Sequence, residues 1–466
     1  MKLGSNDVVV FIGGTDMVRA QASGYLETLL TWKFAKEPPS FRDLSWEADT
    51  VFALGTETER WRREGHRGIN ALGGLEKQLD RLKATVVIVQ LGKNEAFAGP
   101  EGVDKFSTAY ARLLQRLKGD GRRIIVISPT SFEKTFNPLL PDLSRRNADL
   151  EIYVEALHQQ AQKHGALFVD LFSNSPTLTK NGLHVATSKQ ALFAQRIASG
   201  LNISRKDGFK GLGDLHKAVR EKQRLWRDYW RPSNWKCLFG DDNRRVFSIG
   251  HNKVPTIRDE WSQLPSLIDK AEQQIRAVAA GNAKPKITPQ PAFPALRVEL
   301  NPADEQKAFR PANGFAVNLF ASEKLGVANP LSMRWDAKGR MYVACTWAYP
   351  HLRPGEIPND KIIQLIDTNG DGHADKSTVF ADGLNIPTGM ETGDGGIYVG
   401  QGEELLFLRD LDDDGQADER RVVLSGFGTG DTHQTINSFV WSPDGELFFC
   451  QGDGIESRVE TPWGIS

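Results

Sequence analysis

The sequence predicts a three-layer α/β domain of the doubly wound, flavodoxin-like type over residues 1–204. A helical extension with a Pro-rich linker follows over 205–290, and an incomplete all-β propeller over 291–466. Three observations lead to this division. Apolar runs alternate with amphipathic stretches as far as Ile203, the pattern of a parallel sheet covered by helices. Pro and Gly then cluster from Gly281 to Pro294. Beyond them, short alternating strands recur with many glycines.

In the first region the runs Val8 to Ile12, Thr85 to Leu91, Arg123 to Ser128 and Leu167 to Leu171, with a shorter one at Ser40 to Leu44, give about five strands. Gly24 to Trp32, Val103 to Leu117, Ala148 to His164 and Lys189 to Ile197 read as the covering helices. The extension opens with a charged helix carrying Trp226, Tyr229 and Trp230, then Arg231-Pro232-Ser233-Asn234-Trp235, and a second helix over Leu264 to Ala279. Trp226 and Trp230 stand at i, i+4, so they pack one helix face against the α/β domain; stacking on sugar rings, with Trp235, is the alternative.

In the third region Trp335-Asp336-Ala337-Lys338-Gly339-Arg340-Met341-Tyr342-Val343 is echoed at Thr392 to Val399 and again at Trp441 to Phe449. The interval, about fifty residues, is that of propeller blades. Gln364-Leu365-Ile366-Asp367 and Phe407-Leu408-Arg409-Asp410 form a second repeated unit, each leading into an Asp-rich turn. About three blades are begun, so the remaining blades are expected outside this chain.

Composition narrows the partners. Lys plus Arg (58) and Asp plus Glu (59) nearly cancel, so no overall field favours nucleic acid or an anionic membrane. Small molecules, glycan esters or proteins are the expected partners. Cys237, Cys345 and Cys450 lie far apart with no C-x-x-C or C-x-x-C-H spacing, which excludes a zinc ribbon, a thioredoxin motif and a c-type haem site in this sequence. The N-terminal apolar run is too short for a signal peptide or a membrane span.

The chemistry concentrates at three strand or helix edges. Val8 to Ile12 ends in Gly13-Gly14-Thr15-Asp16, Thr85 to Leu91 ends in Gly92-Lys93-Asn94-Glu95, and Asn181-Gly182-Leu183-His184 precedes the last helix. Ligands bind at such strand ends in open α/β sheets. In order and spacing these blocks resemble the Gly-Asp-Ser turn, the Gly-x-Asn-Asp block and the Asp-x-x-His block of the SGNH/GDSL hydrolases, with Ser45-Trp46-Glu47-Ala48-Asp49 at the place of the remaining block. The resemblance implies an ester hydrolase acting on a carbohydrate or acyl ester. Thr15 would be the nucleophile, His184 the base oriented by Asn181, and Asn94 with the Thr15 and Ala48 amides the oxyanion hole, beside Gly92.

The sequence departs from that pattern at several of these positions. Threonine replaces serine at 15, glycine replaces aspartate at 14, and an amide stands at Asn181, where the family's aspartate would stabilise an imidazolium. Asp16, Asp49 or Glu95 are candidates to substitute. Ala48 can donate its N–H provided its backbone does not need φ > 0. An inactive, carbohydrate-binding or scaffold site is therefore the competing expectation.

The order of domains resembles large bacterial multi-domain proteins of the membrane-bound-dehydrogenase-like group. They join an SGNH domain to a six-bladed sorbosone or glucose dehydrogenase-type propeller, often with a haem c module, and they suggest export. That likeness implies a second alternative, sugar dehydrogenase activity of the full-length propeller. His433, ahead of Asn437, would enter a quinone-cofactor site. The turns Asp367, Asn369, Asp371, Asp375 and Asp410, Asp412, Asp414, Asp418 share the pattern D-x-[DN]-x-D-G-x-A-D, whose alternating oxygens and glycine suit structural Ca²⁺. The alternative is an acidic hairpin turn that uses Asp and Gly for turn geometry alone.

Overall fold

Five apolar runs in the first part of the chain become five parallel strands: β1 (Val8–Gly13), β2 (Ser40–Asp43), β3 (Val86–Gln90), β4 (Arg123–Ile127) and β5 (Leu167–Val169), in the order β2-β1-β3-β4-β5. These come from a computed structural model that describes residues 2–54, 74–173, 177–244, 256–287, 301–453 and 455–466. The Pro-rich run from 288 to Pro294 lies outside the described residues. The chain divides into two compact units. One comprises Met1–Pro232, Ser262–Pro289 and Ser457–Ser466; the other comprises Ser233–Trp261 and Gln290–Glu456.

In the first unit helices cover the sheet, four of them in the segments that the alternation predicts and two, Thr15–Ser23 and Leu75–Arg81, in addition. They are α1 (Thr15–Ser23), α2 (Tyr25–Lys33), α3 (Leu75–Arg81), α4 (Val103–Lys118), α5 (Asn147–His164) and α6 (Gln190–Gly200). Along α4, Phe106, Tyr110, Leu113, Leu114 and Leu117 are buried at i, i+4, i+7, i+8 and i+11, one stripe of a helix. Phe11, Phe41 and Ile88 of the sheet pack with Leu26, Leu30, Phe193 and Ile197 in one apolar cluster. The strand order reverses between β1 and β3, and the crevice beyond their carboxyl ends is where such sheets bind ligands.

Two further helices, α7 (Gly213–Trp230) and α8 (Leu264–Ala279), belong to this unit and meet through Leu215, Ala218, Val219 and Ile275. Trp226 and Trp230 are buried and stacked, with centroids 6.4 Å apart, and Trp226 Nε1 donates to Asp43 O at 2.7 Å. Lys222, fully buried, donates to Glu27 on α2 at 2.7 Å and to Phe41 O at 3.0 Å. These tryptophans are thus packing residues.

The second unit is built from antiparallel sheets. The first contains β6 (Pro330–Trp335), β7 (Met341–Cys345), β8 (Asp360–Ile366) and β9 (Lys376–Leu384). The next contains β10 (Pro387–Gly393), β11 (Gly396–Gln401), β12 (Glu404–Arg409) and β13 (Glu419–Ser425), followed by the pair β14 (Asn437–Trp441) and β15 (Leu447–Cys450). The three sequence echoes fall on equivalent hairpins, β6-β7, β10-β11 and β14-β15. Tyr342, Ile362 and Phe380 of the first sheet share a core with Met390, Val399 and Leu406 of the second. Trp235 is buried in this unit, its N–H donating to Thr429 O at 3.1 Å. Among the described residues no helix is long and apolar enough to cross a membrane.

Candidate active site

The carboxyl ends of β1 and β3 place Thr15 and Asn94 next to each other because the turns after both strands are tight. At Gly13 a Cβ would lie 2.8 Å from Gln90 O and 2.8 Å from Met17 Cβ, so only glycine lets β1 run this close to β3 at the start of α1. Thr15 is the first residue of α1, so its N–H is one of the helix's unpaired amides and points out of the N-terminus. The chain after β2 continues beside β1, with Trp46 N donating to Gly13 O at 3.0 Å, which carries Ala48 over the same crevice.

The loop holding Ala48 is braced from below. Glu47 pairs with the buried Arg231 guanidinium, which also lies over the Trp46 ring at 4.6 Å. Asp43 Oδ1 accepts from Ser45 N at 2.9 Å. Burial pushes the Asp43 carboxyl up to about 7, against the Ser45 hydrogen bonds and Arg231. Ala48 has φ of 54°, a left-handed conformation that alanine takes only under external constraint, and its N–H still serves the site. The proviso attached to Ala48 from sequence is thereby corrected: φ is positive, and the N–H donates all the same.

What occupies the crevice is a residue that the sequence reading missed. Glu460, only 5% exposed, lies on a short hairpin of β16 (Glu460–Thr461) and β17 (Gly464–Ile465) that belongs to the first unit. Its Oε1 accepts from Ala48 N at 2.7 Å and Thr15 N at 3.2 Å, its Oε2 stands 2.7 Å from His184 Nε2, and the Asn94 side-chain amide bonds the same carboxylate. Burial alone would raise this carboxyl; the bonds from His184, Thr15 and Asn94 outweigh it and bring it down to about 2. An isolated glutamate in Val-Glu-Thr-Pro-Trp-Gly, 445 residues from Thr15, carries no sequence signal of this role.

His184 faces Glu460 across the crevice, and Asn181 sets its state. Asn181 Oδ1 accepts from Leu183 N (3.1 Å) and His184 N (2.9 Å), so its Nδ2 faces His184 Nδ1 at 3.3 Å. A donor there requires a lone pair on Nδ1, which leaves the ring proton on Nε2, pointing at Glu460. The Thr15 hydroxyl is buried and without a hydrogen-bond partner among the described residues. His184 therefore serves Glu460 and not Thr15 in this arrangement.

The other candidates take supporting positions. Gly92 N donates to Glu95 Oε2 at 2.8 Å, not into the hole, and Val51 N donates to Glu95 Oε1 at 2.7 Å. Burial raises Glu95 to about 7 in spite of these bonds. Asp16 accepts from Val185 N at 2.7 Å and meets Lys93 at 3.3 Å. Asp49 lines the cavity beside Glu460. Neither Asp16 nor Glu95 bonds His184.

In the second unit His433 Nδ1 is paired with Asp431 at 2.8 Å and half-exposed. Asp410, Asp412 and Asp418 bring carboxylate oxygens within 4.8 Å of one another. In the first acidic turn, Asp367 accepts from Gly370, Asp371 and Gly372 amides, while Asn369 donates to Asp371 and Asp375 accepts from Thr368. In the second, Asp410 accepts from Gly415 N and Asp414 from Gln416 N.

A parallel α/β sheet whose switch-point crevice gathers a helix-N-terminal hydroxyl, three converging amide donors and a histidine ahead of α6 has the architecture of an esterase-type hydrolase. Residues 40–191 match the model of the GDSL-like Lipase/Acylhydrolase family, so the chain contains a domain of this kind. Residues 301–462 match a second model, Domain of unknown function (DUF7133). Among solved structures the chain is similar to a gut microbial diltiazem-metabolizing enzyme, at 14% identity and a TM-score of 0.34, over 44% of this chain and 49% of that one. It is also similar to Axe2, an acetylxylan esterase from Geobacillus stearothermophilus, at 16% identity and a TM-score of 0.34, over 44% of this chain and 100% of that one. The chain thus spans about half the length of the first of these structures. No curated protein matches it.

Proposed function

We propose that the first unit hydrolyses short acyl esters, of a carbohydrate or another small alcohol, using Thr15 as nucleophile. The observation that carries this reading is the convergence of the Thr15 and Ala48 amides and the Asn94 side chain on one carboxylate. Donors aimed at a single anionic oxygen are what an acyl-transfer transition state needs, each worth about 10²–10³ in rate. In the reaction Thr15 Oγ1 attacks the ester carbonyl while His184, which must first take the Nδ1–H tautomer, accepts the hydroxyl proton on Nε2 and returns it to the departing alcohol. The carbonyl oxygen becomes an oxyanion held by the three donors. Water, deprotonated by His184, then attacks the acyl carbon, the bond to Thr15 Oγ1 breaks as His184 returns the proton to it, and the acyl group leaves as a carboxylic acid.

One observation favours a second reading, an inactive scaffold or carbohydrate-binding site. The Asn181 amide keeps the proton on His184 Nε2, the tautomer that cannot act as base toward Thr15. Hydrolysis of p-nitrophenyl acetate by the whole chain, compared with Thr15→Ala and His184→Ala, decides between them. The hydrolase reading expects each variant to lose at least about a hundredfold in kcat; rates equal to wild type would place the chemistry elsewhere.

For the second unit we propose successive blades of a propeller. The support is that β10 lies against both β6 and β14, so that the first strands of successive sheets adjoin. Within it both acidic turns are proposed as structural Ca²⁺ sites, with support at the second from Asp410, Asp412 and Asp418, whose carboxylate oxygens lie within 4.8 Å of one another.

A further inference from the structure

The hairpin bearing Glu460 is self-braced. Val459 and Ser466 exchange backbone hydrogen bonds of 3.0 and 2.9 Å, and Thr461 Oγ1 donates to Gly464 O at 2.8 Å and accepts from Trp463 N at 3.2 Å. From this frame the Glu460 carboxylate enters the crevice as the acid released from an acyl ester would, one oxygen on the amides of the hole and the other on the imidazole. The cavity left beside it, about 30 Å³, has room for roughly one water.

Two of the departures from the hydrolase pattern fit this carboxylate. At Gly14 a Cβ would stand 2.7 Å from Glu460 Oε1, so an aspartate at that position would collide with it and repel it. At Asn181 the amide selects the Nε2–H tautomer, which donates to the carboxylate; an aspartate there would draw the proton to Nδ1 and turn a lone pair toward Glu460. Both replacements weaken a hydrolase, and both serve Glu460.

We propose that this crevice is a carboxylate-binding site whose resident ligand is Glu460, and that the hairpin 459–466 must withdraw before a free carboxylate or an ester can enter. The claim about esters rests on the hydrolase reading above, whereas the claim about carboxylates does not.

The test uses the whole chain and its Glu460→Ala and Glu460→Gln variants, with sodium acetate as probe at ionic strength matched by sodium chloride. The melting temperature of Glu460→Ala is expected to rise by several degrees in about 100 mM acetate, while that of wild type stays put. Diethyl pyrocarbonate should modify His184, followed by peptide mass, at least about tenfold faster in Glu460→Ala, because access scales with the open fraction. Acetate shifting wild type as much as the variant, or His184 reacting equally fast in both, overturns the proposal. Should the alanine variant fail to melt cooperatively, the isosteric Glu460→Gln takes its place: faster His184 modification upholds the proposal and an unchanged rate overturns it. Hydrolysis of p-nitrophenyl acetate separates the two readings. A variant that binds acetate without hydrolysing the ester sinks the hydrolase and keeps the carboxylate site; wild type hydrolysing as fast as Glu460→Ala sinks the gating.

Discussion

Asn181 decides more of the chemistry than any other single residue, because it dictates which nitrogen of His184 carries the proton. With Glu460 removed, an Asn181→Asp substitution would place an acceptor at Nδ1 and free the Nε2 lone pair for the Thr15 hydroxyl. The double variant Glu460→Ala/Asn181→Asp is expected to exceed Glu460→Ala in kcat toward p-nitrophenyl acetate by up to roughly 10⁴-fold, the scale on which a wrong tautomer slows a triad. An unchanged kcat would mean that Asn181 has no part in the reaction. Thr15, Asn94 and His184 were legible in the sequence since each sits at a fixed place relative to a strand end or a helix start. Glu460 was not, because its role exists only through contacts with Thr15, Ala48 and His184, hundreds of residues earlier. The positive φ of Ala48 was equally hidden: alanine does not announce a left-handed position as glycine does.

At the scale of elements, the strands and the helices α4, α5 and α6 follow from periodicity alone, since each buries a stripe or a run that its own residues specify. What α7 does could not be read that way. Its charged face contains Lys222, which the sequence presents as a solvated residue and which the fold buries completely against Glu27 of α2. Burial pushes the Glu27 carboxyl above its ordinary range even with Lys222 beside it. Removing the cation alone leaves that carboxyl without its counter-charge. Lys222→Met is expected to destabilise the unit by about 3–5 kcal/mol in urea unfolding, and Lys222→Met/Glu27→Leu to recover much of the loss. A loss below about 1 kcal/mol for the single variant would show that the pair does not fasten α7 to the sheet.

For the whole chain, the carboxylates around the crevice pull stability in opposite directions with pH. Glu460, brought down to about 2 from its ordinary 4.5, releases its proton more readily in the folded state. Its contribution is complete above pH 4.5 and fades as pH falls through 2. Asp43 and Glu95, both raised to about 7, behave in the reverse sense. Between their ordinary values and pH 7 the folded chain keeps protons that the unfolded chain has shed, so stability falls as pH rises through that window. By neutral pH this costs roughly 4 kcal/mol at Asp43 and roughly 3 kcal/mol at Glu95, at about 1.4 kcal/mol per unit. Asp43 isolates the effect cleanly, because asparagine keeps the Oδ1 acceptor for Ser45 N, stays uncharged like the protonated acid, and leaves the neighbouring Glu47 and Arg231 in place. The fall in melting temperature from pH 5 to pH 8 is therefore expected to be smaller in Asp43→Asn than in wild type. If the two falls are equal, Asp43 is ionised across that range and the buried loop beneath Ala48 carries a charge that Arg231 must compensate.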